Sequence, residues 1–273
     1  MNRFAAMSLG LLLACGAEVS APAPDPGTGP VPTGSCDGRT PAGGVTNGSL
    51  DVAGVRRTFV LVVPSAAPSQ PMPVYFVFHG AGGSGAQYRS WMRFESEATG
   101  PAVFVYPDGL ADGGRTGWPN TNGRDVAFFD ALLAHVQARA CTDPRRVFAT
   151  GFSYGGYMSN TLGCARAGVV RAIAPLSGGL PWSGSCTRAR AAAWIAHGTA
   201  DTTVALSQGE GARDYWVGVN GCRAETTSTA PVPCRSYQGC AAGQPVVWCP
   251  FDGGHEVPPW VYDGVMGFFE SLR

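Results

Sequence analysis

The chain has 273 residues, 45% of them hydrophobic and only 14% charged, with a formal net charge of zero. That balance supports a full core and excludes a disordered chain, and zero net charge argues against a nucleic-acid partner. All 19 basic residues are arginine, so neither a Schiff-base lysine nor a phosphate-loop lysine is available. The 39 glycines and 22 prolines run through the whole length and point to many tight turns and loops.

Residues 1–15 (MNRFAAMSLGLLLAC) carry one arginine and then an apolar run too short to span a bilayer, which reads as an export signal. Its end, Leu12-Leu13-Ala14-Cys15, resembles a bacterial lipobox. Lipidation of Cys15 would tether the chain to a membrane at the cell surface. An ordinary signal peptide cut just downstream would instead release a secreted protein. Residues 16–44 are rich in Pro and Gly without hydrophobic periodicity and read as a linker.

From residue 45 to 273 the pattern is that of one globular domain. Arg57–Val63, Val74–Phe78, Val103–Tyr106, Val147–Thr150, Ala172–Leu176 and Ala193–Ala196 are short apolar runs with strand character. Between them, Arg124–Cys141, Gly211–Val219 and Trp260–Leu272 have helical spacing. Short buried strands alternating with helices predict an α/β fold, a mostly parallel sheet covered on both faces.

Within VFATGFSYGG, Gly151-Phe152-Ser153-Tyr154-Gly155 fits the nucleophile-elbow motif, entered from a strand and followed by a helical stretch. A turn this sharp needs small neighbours around Ser153. A serine hydroxyl is a weak nucleophile until a base takes its proton, so a histidine is required. In α/β-hydrolases the order is Ser, then Asp or Glu, then His, and only His197 and His255 follow Ser153. His255, in Asp252-Gly-Gly-His-Glu256 before the last helix, is the better base. Among the acids between them, Asp201 ends HGTAD directly after a strand. Asp214 falls inside a helix, and Asp252 suits a loop-stabilising turn. Asp201 is therefore the acid that would hold the His255 tautomer. The glycine-rich HGAGGSG loop after Phe78 suits an oxyanion hole, with Ala81 as donor, Gly82 close behind, and the Tyr154 N–H as its partner. His79 would brace that loop. His135 belongs on the solvated face of its helix, and Asp125 reads as a helix cap rather than a substrate contact.

Taken together, GFSYGG, HGAGGSG, VYPDGL, GWPNTNGRDVAFFDALL, HGTAD, the stretch from WVGVNGC to SYQGC, and FDGGH resemble the feruloyl esterases of carbohydrate esterase family one, type C above all. Acetyl xylan esterases and polyhydroxybutyrate depolymerases are more distant relatives. The resemblance runs from about Cys36 to the last helix and places Ser153, Asp201 and His255 on the family's triad. The chain departs from the pattern in an extra cysteine pair, Cys234 and Cys249, and in its lipobox-like start. The resemblance implies an α/β-hydrolase fold and two-step release of hydroxycinnamic acids from feruloylated plant polysaccharide or small aromatic esters. The alternatives are an acetyl xylan esterase, a polyester depolymerase, or a catalytically silent lipoprotein that binds carbohydrate. An aromatic acyl group needs a flat apolar pocket, for which Trp118, Tyr154, Trp182 and Trp260 are the candidates. A monomer without cofactor is expected.

Eight cysteines besides Cys15, with no C-x-x-C pair and no histidine adjacent to any of them, predict disulfides rather than a metal site. If residues 235–237 and 246–248 are antiparallel neighbours, with Tyr237 opposite Val246, Cys234 faces Cys249. Cys222 with Cys240 is the remaining local pair. Cys141 and Cys164 both belong at the bottom of the sheet and are paired on that ground, which leaves Cys36 with Cys186.

Overall fold

The computed structural model of the chain describes residues 43–65, 68, 70–181, 186 and 189–272, together with Met1 and Cys36. Cys15 and Trp182 lie outside the described residues. In chain order the elements are β1 (Gly44–Val52), β2 (Val55–Val63), β3 (Met72–Phe78), α1 (Gly85–Trp91), α2 (Phe94–Glu97), β4 (Val103–Pro107), β5 (Leu110–Asp112), β6 (Arg115–Gly117) and α3 (Arg124–Arg139). There follow β7 (Thr142–Phe152), α4 (Tyr154–Ala165), β8 (Ala172–Leu176), β9 (Ala192–Gly198), α5 (Leu206–Val219), β10 (Thr226–Ser228), β11 (Arg235–Tyr237), β12 (Val246–Phe251) and α6 (Trp260–Ser271).

Ten strands form one sheet in the order β1-β2-β4-β3-β7-β8-β9-β12-β11-β10. The inner run from β4 to β12 is parallel, and antiparallel hairpins close each edge. Every residue of β3, β4, β8 and β9 is buried, because helices cover both faces. Val74, Phe76 and Phe78 of β3 enter a core with α3 and α4 residues such as Phe129, Leu132 and Leu162. Tyr75 and Val77 alternate into the opposite core with Phe94, Val265 and Phe269. This is the α/β-hydrolase architecture.

The predicted strands and helices are present, most of them a few residues longer than their apolar runs. Six further elements, β1, α1, α2, β5, β6 and β10, carry weaker sequence signals. Strand β1 lies at the sheet edge with little apolar surface, and its hairpin turns through Ala53 and Gly54, both at positive φ (50° and 79°). Helix α1 is short but begins at a Ser84 cap, whose Oγ accepts the Gln87 N–H at 3.3 Å. His135 is half-buried rather than solvated, its ring edge-on to Phe59 at 5.5 Å.

Two of the expected disulfides are present. Arg235 pairs with Trp248 and Ser236 with Val247, the predicted register, and Cys234 is bonded to Cys249. Cys222 is bonded to Cys240. The other two expected pairs are replaced: Cys36 is bonded to Cys141 and Cys164 to Cys186. The loop after β8 explains the exchange, because it runs back along one face of α4. Gly178 packs on Gly156, the Gly179 carbonyl accepts the Asn160 Nδ2–H at 2.9 Å, and Cys186 then meets Cys164. Residues 156, 160 and 164 are spaced by four, one side of a helix. Cys141, beside the start of β3 through a 2.9 Å bond from the Met72 N–H, is left to anchor Cys36.

Candidate active site

Strand β7 runs directly into Ser153, which sits at φ 59° and ψ −118° as the cap of α4. A non-glycine residue held there costs about 1–3 kcal/mol and persists only when its surroundings over-determine it. The Ser153 N–H donates to Leu176 O at 2.8 Å, and its carbonyl accepts the Tyr157 N–H at 3.2 Å. A Cβ on Gly151 would come within 2.5 Å of the Phe78 carbonyl, and one on Gly155 would run into the same oxygen. The turn is therefore closed to larger residues, and the hydroxyl stands at the carboxyl edge of the sheet.

Neighbouring parallel strands bring the other two groups to it. Beyond the Gly198–Phe251 register pair, the ladder of β9 and β12 continues through Thr199 N–H to Phe251 O (2.8 Å) and Ala200 N–H to Gly253 O (2.9 Å). A Cβ on Gly198 would strike the Gly254 carbonyl, so this exit too needs glycine. Asp201 and His255 thus leave the sheet side by side. Asp201 Oδ2 accepts from His255 Nδ1 at 2.7 Å, and His255 Nε2 lies 2.9 Å from Ser153 Oγ. With its proton on Nδ1, the ring presents Nε2 as the acceptor for the serine hydroxyl. Asp201 Oδ1 accepts the N–H groups of Thr203 and Val204 at 2.8 and 2.9 Å. Burial pushes this carboxyl up, but the hydrogen bonds from His255, Val204 and Thr203 outweigh it and hold Asp201 below the ordinary carboxylate range.

His197, the other histidine after Ser153, is fully buried, and its Nε2–H donates to Val204 O at 2.9 Å. It braces the turn that carries Asp201. Burial holds it below the usual imidazole range, and hence neutral. Asp214 pairs with Arg213 on the exposed side of α5, at 2.8 Å.

The loop after β3 is fixed from within. Gly109 N–H donates to His79 Nε2 at 2.8 Å, so the proton is on Nδ1, which donates to Gly80 O at 2.7 Å. Burial keeps His79 neutral. Trp118 Nε1–H donates to His79 O at 2.8 Å. The Gly82 N–H is committed to Thr116 O at 2.8 Å, which leaves Ala81 as the loop's donor candidate. Gly80 lies against this side of the elbow, its notional Cβ 3.4 Å from Ser153 Cβ.

No protein-family model matches the chain. Among curated proteins it is 38% identical to feruloyl esterase C of Emericella nidulans over 228 residues, 79% of this chain and 81% of that one. It is 35% identical to the probable feruloyl esterase C of Aspergillus niger over the same shares. The chain belongs to the feruloyl esterase family. It is a carboxylic ester hydrolase. Among solved structures, the acetyl xylan esterase of Aspergillus awamori superposes with a TM-score of 0.69 at 18% identity, covering 84% of this chain and 99% of that one. The Bacillus cereus carboxylesterase superposes at 0.60 with 14% identity, covering 80% and 95%, a likeness of fold.

Beside the elbow the esterase has a cavity of about 260 Å³ lined by Trp118, Pro119, Asn120, Tyr154, Tyr157, Thr161 and Pro181. Trp118 is there, 3% exposed, edge-on to Phe78. Trp260 is not: it packs edge-on to Phe251 and Trp194 at the start of α6. Tyr157 and Pro181 carry no motif, and only the path of the loop after β8 brings Pro181 here. Asn120, at φ 50°, shapes the rim: its Oδ1 accepts the Asp125 and Val126 N–H groups, and Asp125 accepts the Asn120 N–H at 2.8 Å. Asp125 is not the cap of its helix: it lies inside the first turn of α3, whose cap position is Gly123, and the Asn120 side chain takes the first N–H groups, while Asp125 pairs with buried Arg57 at 2.8 Å. Among the described residues no cluster of His, Cys, Asp and Glu is placed to hold a metal.

Proposed function

We propose that this esterase hydrolyses hydroxycinnamoyl esters, feruloyl above all, of plant cell-wall polysaccharides, through an acyl-enzyme on Ser153. The observation that carries the mechanism is the hydrogen-bonded chain from Ser153 Oγ through His255 to Asp201, with links of 2.9 and 2.7 Å. As Oγ attacks the ester carbonyl, its proton passes to His255 Nε2, and Asp201 stabilises the imidazolium. Negative charge on the former carbonyl oxygen falls between the backbone N–H groups of Ala81 and Tyr154, the second at the N-terminus of α4. Collapse of this intermediate breaks the ester bond, and His255 gives its proton to the departing sugar alcohol. Water, deprotonated by the same nitrogen, then attacks the acyl carbonyl and restores Ser153.

The acyl class is supported by the cavity. About 260 Å³ lined by Trp118, Tyr154 and Tyr157 is far more apolar space than an acetyl group fills, and it suits a flat aromatic acid. The names of the relatives support the same class. Four disulfides support an exported enzyme working in an oxidising compartment.

The test compares purified protein on methyl ferulate, acetylated xylan and a short-chain polyester, with Ser153→Ala as control. Methyl ferulate should be turned over, and Ser153→Ala should lower kcat by about 10⁴-fold or more. Full activity in that variant overturns the mechanism. Turnover of acetyl or polyester substrates without cinnamate esters overturns the feruloyl reading.

A further inference from the structure

Ser153 stands between two aromatic surfaces on opposite faces of the sheet, and the cavity accounts for only one of them. On the other face Phe152, the residue before the nucleophile, packs its ring on the His255 imidazole, centroids 4.5 Å apart and tilted by 36°. Trp91, the last residue of α1, meets Phe152 edge-on at 5.6 Å and Tyr88 edge-on at 5.2 Å. It is nonetheless 46% exposed, and among the described residues no other aromatic side chain is comparably open to solvent. Two perpendicular ring contacts hold the indole by its surroundings and leave apolar surface facing water. A scattered exposed aliphatic needs no explanation, but a fixed, exposed tryptophan one ring removed from the His255 imidazole calls for one.

We propose that Trp91 is the platform for the leaving-group sugar, the arabinose or galactose ring that carries the ester on the polysaccharide. This rests on the feruloyl reading and on Ser153 chemistry. His255 must hand its proton to the sugar oxygen, so the alcohol departs on the side of His255, which is the side of Phe152 and Trp91. The acyl group takes the cavity lined by Trp118 across the elbow. The two surfaces suit their ligands: a recess lined by aromatic rings for a flat acid, and a half-exposed ring for one unit of a long chain. A sugar presents a C–H face and a rim of hydroxyls, so stacking on a half-exposed indole buries its apolar face and leaves its hydroxyls in water.

The experiment measures kcat/KM of wild type, Trp91→Ala, Trp91→Leu and Trp91→Phe on methyl ferulate and on a feruloylated arabino-oligosaccharide. The ratio of oligosaccharide to methyl ester should fall roughly five- to tenfold in Trp91→Ala, through KM rather than kcat. Trp91→Leu, which keeps bulk without a flat face, should fall equally, and Trp91→Phe should recover part of the ratio. An unchanged ratio in Trp91→Ala overturns the platform and leaves the feruloyl reading standing. A ratio that rises, because methyl ferulate suffers more, assigns Trp91 to the acyl group and overturns it too. A wild-type enzyme that cleaves neither ester overturns the feruloyl reading, and the platform with it.

Discussion

The two ends of the central sheet differ in what their residues are asked to hold. At the carboxyl ends of β3, β7, β9 and β12 stand His79, Ser153, Asp201 and His255 within a web of short hydrogen bonds. Among the described residues, Ser153 and Ser177 follow β7 and β8 at positive φ, and Asn120 and Asn122, also at positive φ, follow β6 beside the cavity. At the other end lies a groove of about 480 Å³, lined by Pro71, Met72, Pro73, Pro101, Tyr75 and Glu270 among others, larger than the cavity beside Ser153. It has size but neither backbone strain nor a nucleophile. Nearby, the Cys36–Cys141 bridge and the Glu270–Thr99 contacts tie segments together. In a parallel sheet the strand exits and the helix N-termini converge at one end, and fixed dipoles concentrate there. On the proposed mechanism, chemistry follows the direction of the strands rather than the volume of a hollow.

If that division holds, changes at the upper end should remove activity and changes at the lower end should remove stability. After loss of the Ser153 hydroxyl itself, the largest effect is expected for Asp201→Asn. Two backbone N–H groups hold the oxygen of the new side chain at the Oδ1 position, so its NH₂ faces His255 Nδ1 and forces the ring proton onto Nε2. The ring can then no longer accept from Ser153, and kcat should fall about 10³- to 10⁴-fold. The same variant reads a linkage. Asp201 is held below its ordinary range, so its ionised form stabilises the fold above the unfolded pKa. That contribution disappears as pH falls through the lower, folded pKa. Denaturant melts should therefore show the stability gap between wild type and Asp201→Asn narrowing towards acid pH; a gap that widens contradicts the assignment.

At the lower end, Cys36→Ser with Cys141→Ser removes a bridge spanning 105 residues. The unfolding free energy should drop by about 2–5 kcal/mol while kcat at low temperature stays within about twofold. A large loss of kcat in the folded variant would break the comparison. The smallest change is expected for Glu270→Ala, which deletes the acceptor for Thr99 N–H (2.9 Å) and Oγ1–H (2.6 Å). The contact is exposed, so calorimetry should register about 0.5–1.5 kcal/mol, with turnover of methyl ferulate unaltered.

Local patterns carried much of the fold. Strand and helix periods, the glycines around Ser153, and the carboxylate directly after β9 are each readable within a dozen residues, because each reflects a backbone requirement of the residues themselves. The Cys234–Cys249 bridge was legible for the same reason, since a short hairpin transmits its register from one strand to the next. The exchange of partners among Cys36, Cys141, Cys164 and Cys186 was not, because it depends on a loop doubling back along α4. As sequence, Ala81 is only narrowly preferred to Gly82. Only the Thr116 carbonyl, arriving from β6, takes the Gly82 N–H and separates them.

The tryptophans show the same boundary. The resemblance and their predicted loops make both Trp118 and Trp260 candidates, yet one lines the cavity and the other packs edge-on to Phe251 and Trp194. Trp91, which no motif contains, lies one ring away from His255 because Phe152 packs against both. The sequence by itself determined the order of strands and helices, the nucleophile elbow and the order Ser153, Asp201, His255. Those are properties of contiguous chain and of strand direction. Which rings face the site, which cysteines meet and which N–H stays available were decided by the tertiary structure. Each of these depends on side chains from segments distant along the chain, and no local pattern encodes their approach.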